Sequence, residues 1–103
     1  MVALSIRTEK LLEKIFPEEE TRNIAKTRLI EECGNNIPDC KHSSPEQLER
    51  IRFSVLKLSG GDLTRLENAI ELAKIDWRDL FMSAGFGKDV NEHNNWYEYI
   101  IGD

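Results

Sequence analysis

Four short segments between residues 44 and 92 carry the residues that start and stop helices: residues 44–47 (Ser-Pro-Glu-Gln), 60–62 (Gly-Gly-Asp), 76–79 (Asp-Trp-Arg-Asp) and 89–92 (Asp-Val-Asn-Glu). Serine and aspartate side chains accept hydrogen bonds from the free N–H groups at a helix start. Proline suits the first helical position, and glycine suits the residue after the end. No segment shows the strict alternation of apolar and polar residues that is typical of a half-buried strand. The series therefore predicts an all-α protein.

The clearest predicted element is an antiparallel helical hairpin over about residues 45–59 and 63–74. Each of its two helices carries an apolar stripe with the same spacing: Leu48, Ile51, Val55 and Leu58 in the first, and Leu63, Leu66, Ile70 and Ala73 in the second. Gly60 and Gly61 join the two helices, and Asp62 can cap the second. Two equal stripes joined by so short a turn predict neighbouring antiparallel helices.

Two helices are predicted before the hairpin. Ser5 can cap the first, which Pro17 ends because proline lacks a backbone N–H. Pro17 also suits the first position of the second helix, whose first turn holds residues 18–20 (Glu-Glu-Glu). The second helix is predicted to run to Cys33. Residues 34–43 are predicted to form a loop that is short enough to lie on the surface of one domain.

Two short helices are predicted after the hairpin. Asp76 starts the fifth helix, with Asp79 at its third position, and Gly85 ends it. Asp89 and Glu92 then open a sixth helix. A chain of 103 residues is close to the commonest domain size. The prediction for residues 1–103 is therefore a single domain, a compact bundle of five or six short helices around the hairpin.

Charge and cysteine content narrow the class of protein. The formal net charge is −5, which argues against nucleic-acid binding because that affinity comes from Lys and Arg on phosphates. The longest apolar runs fall far short of the ~20 residues of a membrane span, and the chain does not start like a signal peptide. Two cysteines are too few for a secreted disulfide scaffold. We therefore expect a reduced, cytoplasmic protein with no nucleic-acid or membrane partner.

A zinc or thiol site is the first chemical hypothesis. Cys33, Cys40 and His42 could bind zinc with His93 as a fourth ligand, but their Cys-x6-Cys-x-His spacing lacks the usual short Cys-x2-4-Cys chelate. Cys33 suits a buried apolar position, which explains it without a metal or a Cys33–Cys40 disulfide. It also follows two glutamates at a helix end, where the dipole and the carboxylates oppose a reactive thiolate. We therefore expect no metal, no catalytic cysteine and no cofactor.

Acid–base catalysis by paired carboxylates, such as Asp76 and Asp79, is the second chemical hypothesis. Both residues already have a sufficient structural role at the start of a helix. A phosphate-binding loop is not indicated, because Gly60 and Gly61 form a turn and residues 85–87 (Gly-Phe-Gly) lack the required spacing. The sequence therefore favours a protein that is not an enzyme.

The aromatic residues are concentrated at the C-terminal end. Six of the eight lie in the last 27 residues: Trp77, Phe81, Phe86, Trp96, Tyr97 and Tyr99. On the sixth helix Trp96 and Tyr99 share one side, whereas Tyr97 points elsewhere with His93 one turn before it, so one short helix cannot turn all of them inward. Two interpretations remain open. The rings pack the last helices onto the hairpin with the tyrosines half exposed, or they form a partner surface.

The stretch from Leu48 to Phe86 carries several recognisable segments. They are residues 49–53 (Glu-Arg-Ile-Arg-Phe), 57–63 (Lys-Leu-Ser-Gly-Gly-Asp-Leu), and the Asp-Trp-Arg-Asp-Leu of 76–80 with the Ala-Gly-Phe of 84–86. This stretch of about 40 residues resembles a group of small bacterial all-helical proteins with no established activity. The resemblance implies a bacterial cytoplasmic origin and a compact helical domain, and it supplies no site residues.

The aromatic and polar residues of the C-terminal end suggest two functions. The first is non-enzymatic protein–protein contact, in a homodimer or with another protein, through an aromatic C-terminal surface around Tyr97 and Tyr99. The second is a small-molecule or anion site between the hairpin and the last two helices, with Arg78, His93 and Tyr97 as its polar groups. In the structural alternative Arg78 ties two helices by a salt bridge. Trp77 and Trp96 complete the set of candidate residues.

Overall fold

The computed structural model describes residues 4–33, 45–89 and 91–102. It contains six helices: α1 (Ile6–Ile15), α2 (Glu19–Glu32), α3 (Pro45–Ser59), α4 (Leu63–Ile75), α5 (Trp77–Ala84) and α6 (Glu92–Ile101). No strand occurs in these three ranges, so the predicted all-α bundle is confirmed. The predicted cap at Ser44 and the predicted loop over 34–43 lie outside the described residues.

The predicted hairpin is formed by α3 and α4. Gly60 and Gly61 have φ angles of 55° and 87°, which glycine adopts without the steric cost of a side chain. Asp62 then caps α4, because one of its carboxylate oxygens accepts hydrogen bonds from the backbone N–H of Thr64 at 2.7 Å and of Arg65 at 3.3 Å. The turn therefore follows from its own three residues.

Helix α3 is the centre of the bundle and packs against α1, α4, α5 and α6. Leu48, Ile51 and Val55 of its predicted stripe are buried, as expected, while Leu58 is half-buried. The predicted stripe nevertheless underestimates how much of α3 is buried, because every residue from 51 to 56 is buried. A single stripe predicts contact with one neighbouring layer, whereas four neighbours enclose this helix on several sides.

The polar residues inside α3 have backbone partners. Nε of the buried Arg52 donates to the carbonyl oxygen of Cys33 at 2.9 Å, at the end of α2. Oγ of Ser54 donates to the carbonyl oxygen of Arg50 at 2.8 Å. Buried polar groups are tolerated when they are hydrogen-bonded, so these side chains do not disrupt the core.

Helix ends agree with the predicted caps at some positions and differ at others. Oγ of Ser5 accepts the N–H of Thr8 at 3.1 Å, and Asp76 caps α5, as predicted. The second helix starts at Glu19, two residues after the predicted Pro17. The cap of α6 is Asn91 and not Asp89, which instead accepts the N–H of Asn91 at 2.8 Å in a turn before the helix.

Two ion pairs join α2 to α4. Both guanidinium donors of the Arg28 fork reach the carboxylate of Glu67, each at 2.6 Å. Lys74 donates to Glu32, and this hydrogen bond is the main cause that lowers the pKa of Glu32 and raises the pKa of Lys74. These pairs orient α2, whose only buried helical residues are Ala25 and Leu29.

All six helices contribute to one core. Its largest fully buried side chains include Phe16 of the α1–α2 connection, Phe53 of α3 and Phe86, which follows α5. The Cα radius of gyration is 12.2 Å, close to the ~13 Å of a compact domain of this length. Among the described helices, none combines the length and the apolar character that crossing a membrane requires.

Candidate functional site

The side of α6 that carries His93 and Tyr97 is turned into the protein. Tyr97 stacks on Phe53 of α3, with 5.6 Å between ring centres and 16° between the ring planes. The ring of His93 lies edge-on to the same phenyl ring, with 5.6 Å between the ring centres. His93 and Tyr97 are both buried. Trp96 is half-buried, with its ring centre 5.8 Å from that of Phe86. These contacts attach α6 to α3 and to Phe86 after α5.

The other predicted site residues lie elsewhere. Tyr99 is 79% exposed and is the most exposed ring of α6. Trp77 is half-buried, with its ring edge-on to Phe81 at 5.4 Å. The side chain of Arg78 is 76% exposed and pairs with the neighbouring cap residue Asp76 at 3.3 Å, not with a second helix. The structure therefore leaves the predicted set divided between buried and exposed positions.

A polar cleft of about 220 Å³ lies where α1, α3 and α6 begin. Its walls combine two arginines, two glutamates, three amide side chains and one histidine: Arg7, Arg50, Glu46, Glu49, Gln47, Asn91, Asn94 and His93. Of the predicted site residues only His93 lines the cleft, and Arg78 and Tyr97 do not. Helix N-termini carry partial positive charge, so three of them in one place favour negative charge there.

Arg7 contacts three residues in and beside this cleft. Its guanidinium makes an ion pair with Glu49 at 3.1 Å and donates to Oδ1 of Asn94 at 2.6 Å. The same group lies over Tyr97, 4.5 Å from the ring centre. Glu49 also accepts a 2.6 Å hydrogen bond from Oγ of Ser5. Arg7 and Glu49 therefore neutralise each other and join the start of α1 to α3 and α6.

Arg50 is held differently, by neutral groups. Its guanidinium carbon lies 4.1 Å from the ring centre of Phe81, and Nη2 donates to the carbonyl oxygen of Phe86. Burial lowers the pKa of Arg50, and the charge of Asp89 opposes that shift without coming within ion-pair distance. Within the described residues, no carboxylate forms an ion pair with this guanidinium.

Of the four candidate zinc ligands, the structure describes Cys33 and His93, whereas Cys40 and His42 lie outside the described residues. Cys33 is fully buried, and its desolvation raises the pKa of the thiol to about 12. Its thiolate is therefore a negligible species at neutral pH. Among the side chains that the structure describes, no three His, Cys, Asp or Glu residues are grouped to bind a metal ion.

A Cys40→Ser variant, in which Cys33 is the one remaining thiol, is expected to resist alkylation while folded. A rise from 9.0 to about 12 in the pKa lowers the thiolate fraction by about 1,000-fold at pH 8, and burial further hinders access. Iodoacetamide labelling followed by mass spectrometry, in buffer and in urea, measures the ratio of rates. Equal rates in the two conditions would show that Cys33 is accessible in the folded protein.

Arg7 and Arg50 are two of the seven cleft residues that the sequence did not indicate as site residues. Arg7 meets Asn94 across 87 positions of the chain, and no local pattern predicts such a pair. Arg50 belongs to the recognisable 49–53 segment, but its position on a helix predicts an ordinary solvated cation.

Comparisons with protein-family models, with curated proteins and with solved structures find no match to this chain.

Proposed function

We propose that this protein binds a small anionic molecule in the cleft between α1, α3 and α6. The observation that supports this proposal most is the environment of the Arg50 guanidinium. Its guanidinium lines the cleft, is partly desolvated and has no ion-pair partner among the described residues. A carboxylate or phosphate oxygen in the cleft would pair with the guanidinium charge through donors that the Phe86 carbonyl does not use.

Two further features support an anion at this position. The starts of α1, α3 and α6 meet at the cleft, and the capping residue of α6, Asn91, makes no side-chain capping hydrogen bond. The volume of about 220 Å³ lies below the ~300–1,000 Å³ of sites for drug-sized ligands, so the ligand is small. Arginine keeps its proton at physiological pH, so Arg7 and Arg50 bind and orient an anion without transferring protons. Binding without catalysis is the function we propose.

An NMR titration tests this proposal. Acetate and inorganic phosphate, added separately to the 15N-labelled protein, are expected to shift the amide signals of cleft residues such as Asn94 in a saturable way. Arg50→Gln is expected to weaken the binding at least tenfold, about 1.4 kcal/mol, because it removes the cation and its forked donors. Circular dichroism of the variant checks that it is folded.

Arg65→Gln is the matched control. Arg65 is an exposed arginine of α4 outside the cleft, so its replacement makes the same change in net charge without touching the site. We expect its affinity for acetate to equal that of the unchanged protein. Shifts spread evenly over the surface, or equal losses in the two variants, would show that the anion responds only to net charge.

Contact with a protein partner through the C-terminal aromatic residues stays a prediction. His93 and Tyr97 are buried against α3, so Tyr99 and the half-buried Trp96 are the rings that such a partner would meet. We place the anion site first, because the cleft brings together groups of matching chemistry and the exposed rings do not form a comparable cluster.

A further inference from the structure

Some charged side chains of the cleft form an ion pair with each other, and others do not. Arg7 and Glu49 form an ion pair and cancel each other. Glu46 and Arg50 also line the cleft, but neither has an ion-pair partner among the described residues. The cleft therefore offers one carboxylate and one guanidinium that no described side chain of opposite charge neutralises.

Glu46 and Arg50 would be expected to pair with each other. They lie four residues apart on α3, about 6 Å along its axis, in the Glu-before-Arg order that favours an ion pair on a helix surface. Here the contacts with Phe81 and with the carbonyl oxygen of Phe86 draw the guanidinium towards α5. Glu46 stays exposed at the edge of the cleft. The tertiary structure thus separates two opposite charges and leaves a cleft beside both.

We propose that the ligand is a zwitterion, a free α-amino acid with a small polar side chain. Its carboxylate pairs with Arg50 and its ammonium group with Glu46. This inference rests on the proposed function and specifies the ligand. A phosphate dianion fits less well, because Glu46 and the nearby Asp89 repel a second negative charge. The amides of Asn91 and Asn94 offer neutral hydrogen-bonding groups to a polar side chain.

L-serine and its two fragments test the proposal by NMR titration. 3-Hydroxypropionate is serine without the ammonium group, and ethanolamine is serine without the carboxylate. We expect L-serine to half-saturate the shifts of cleft amides at a concentration at least tenfold below that of either fragment, because each charged pair adds on the order of 1.4 kcal/mol. Inorganic phosphate is the fourth probe, and its affinity is expected to be below that of L-serine.

The Glu46→Gln variant tests the contact with the ammonium group of the ligand separately from the contact with its carboxylate. This variant is expected to weaken L-serine binding about tenfold, because the ammonium group loses its partner. The same variant is expected to bind 3-hydroxypropionate as well as before or better, because a negative charge beside the anion is gone. Glu20→Gln is the matched control: Glu20 is also an exposed glutamate in the first turn of a helix, but it lies outside the cleft. It is expected to leave both affinities unchanged.

Each other outcome is decisive. If phosphate or 3-hydroxypropionate binds as tightly as L-serine, or if Glu46→Gln leaves the preference for L-serine intact, the zwitterion inference is wrong and the anion site stands. If ethanolamine alone matches L-serine, or if none of the four probes binds, both the inference and the proposed function are wrong.

Discussion

Replacing Phe53 by alanine is expected to lower the free energy of unfolding by about 3–5 kcal/mol. The side chain is fully buried at the middle of α3, the helix that contacts four of the other five. Its ring touches His93, Trp96 and Tyr97, the residues that attach α6. Truncation therefore removes apolar area and leaves a cavity between two helices. Domains of this size have stabilities of about 5–15 kcal/mol, so the loss is a large fraction of the total.

Urea denaturation followed by circular dichroism measures this loss, with Tyr99→Ala as the matched control. Tyr99 is an aromatic residue of comparable size that is 79% exposed, so its removal is expected to change the free energy of unfolding by less than about 0.5 kcal/mol. Similar losses in the two variants would mean that the two rings are buried to a similar extent, contrary to the structure.

Replacing Gly61 by alanine is expected to cost about 2–3 kcal/mol. Its φ of 87° is a conformation that residues with a side chain rarely adopt. A Cβ atom at this position would also lie 2.8 Å from the carbonyl oxygen of Ile15, a backbone atom at the end of α1. The hairpin turn and α1 would have to separate to relieve this contact. The variant therefore tests a contact between the hairpin and another helix.

Gly60→Ala provides the comparison for Gly61→Ala, because it adds the same methyl group one residue earlier. Gly60 has a φ of 55°, and the nearest atom to an added Cβ is Nη1 of the flexible Arg65 side chain at 3.9 Å. Only the backbone cost applies there, about 1 kcal/mol. Thermal unfolding of both variants gives the difference. Equal melting temperatures would exclude close packing of the hairpin turn on α1.

The helix starts that were predicted correctly share one physical property: their hydrogen bonds are local. Ser5, Asp62 and Asp76 each accept an N–H two or three residues further along the chain. Such bonds depend on a few neighbouring residues and can be read from the sequence. The prediction that Asp89 starts α6 was wrong, because Asp89 accepts the N–H of Asn91 in a turn and Asn91 is the cap of the helix.

The sequence predicts less well how much of α3 is buried and which aromatic rings of α6 are exposed. An apolar stripe shows that a helix has a buried side, but it does not say how many neighbours surround the helix. Phe53 and Leu56 lie off the predicted stripe and are fully buried because α5, α6 and α1 pack on the other sides of α3. For the same reason Tyr97 is buried, whereas Tyr99 on the same helix is exposed.

The all-α class, the hairpin and most helix ends follow from the sequence, because each depends on periodicity or on hydrogen bonds within one turn. The cleft, in contrast, exists only because helices that are distant in sequence pack together. Arg7 reaches Asn94 over 87 positions, and Ser5 reaches Glu49 over 44. Arg50 is drawn away from Glu46, its neighbour on the helix, by Phe81 and the Phe86 carbonyl. Which charges pair, and which remain available to a ligand, is set by the packing of helices that are distant in sequence.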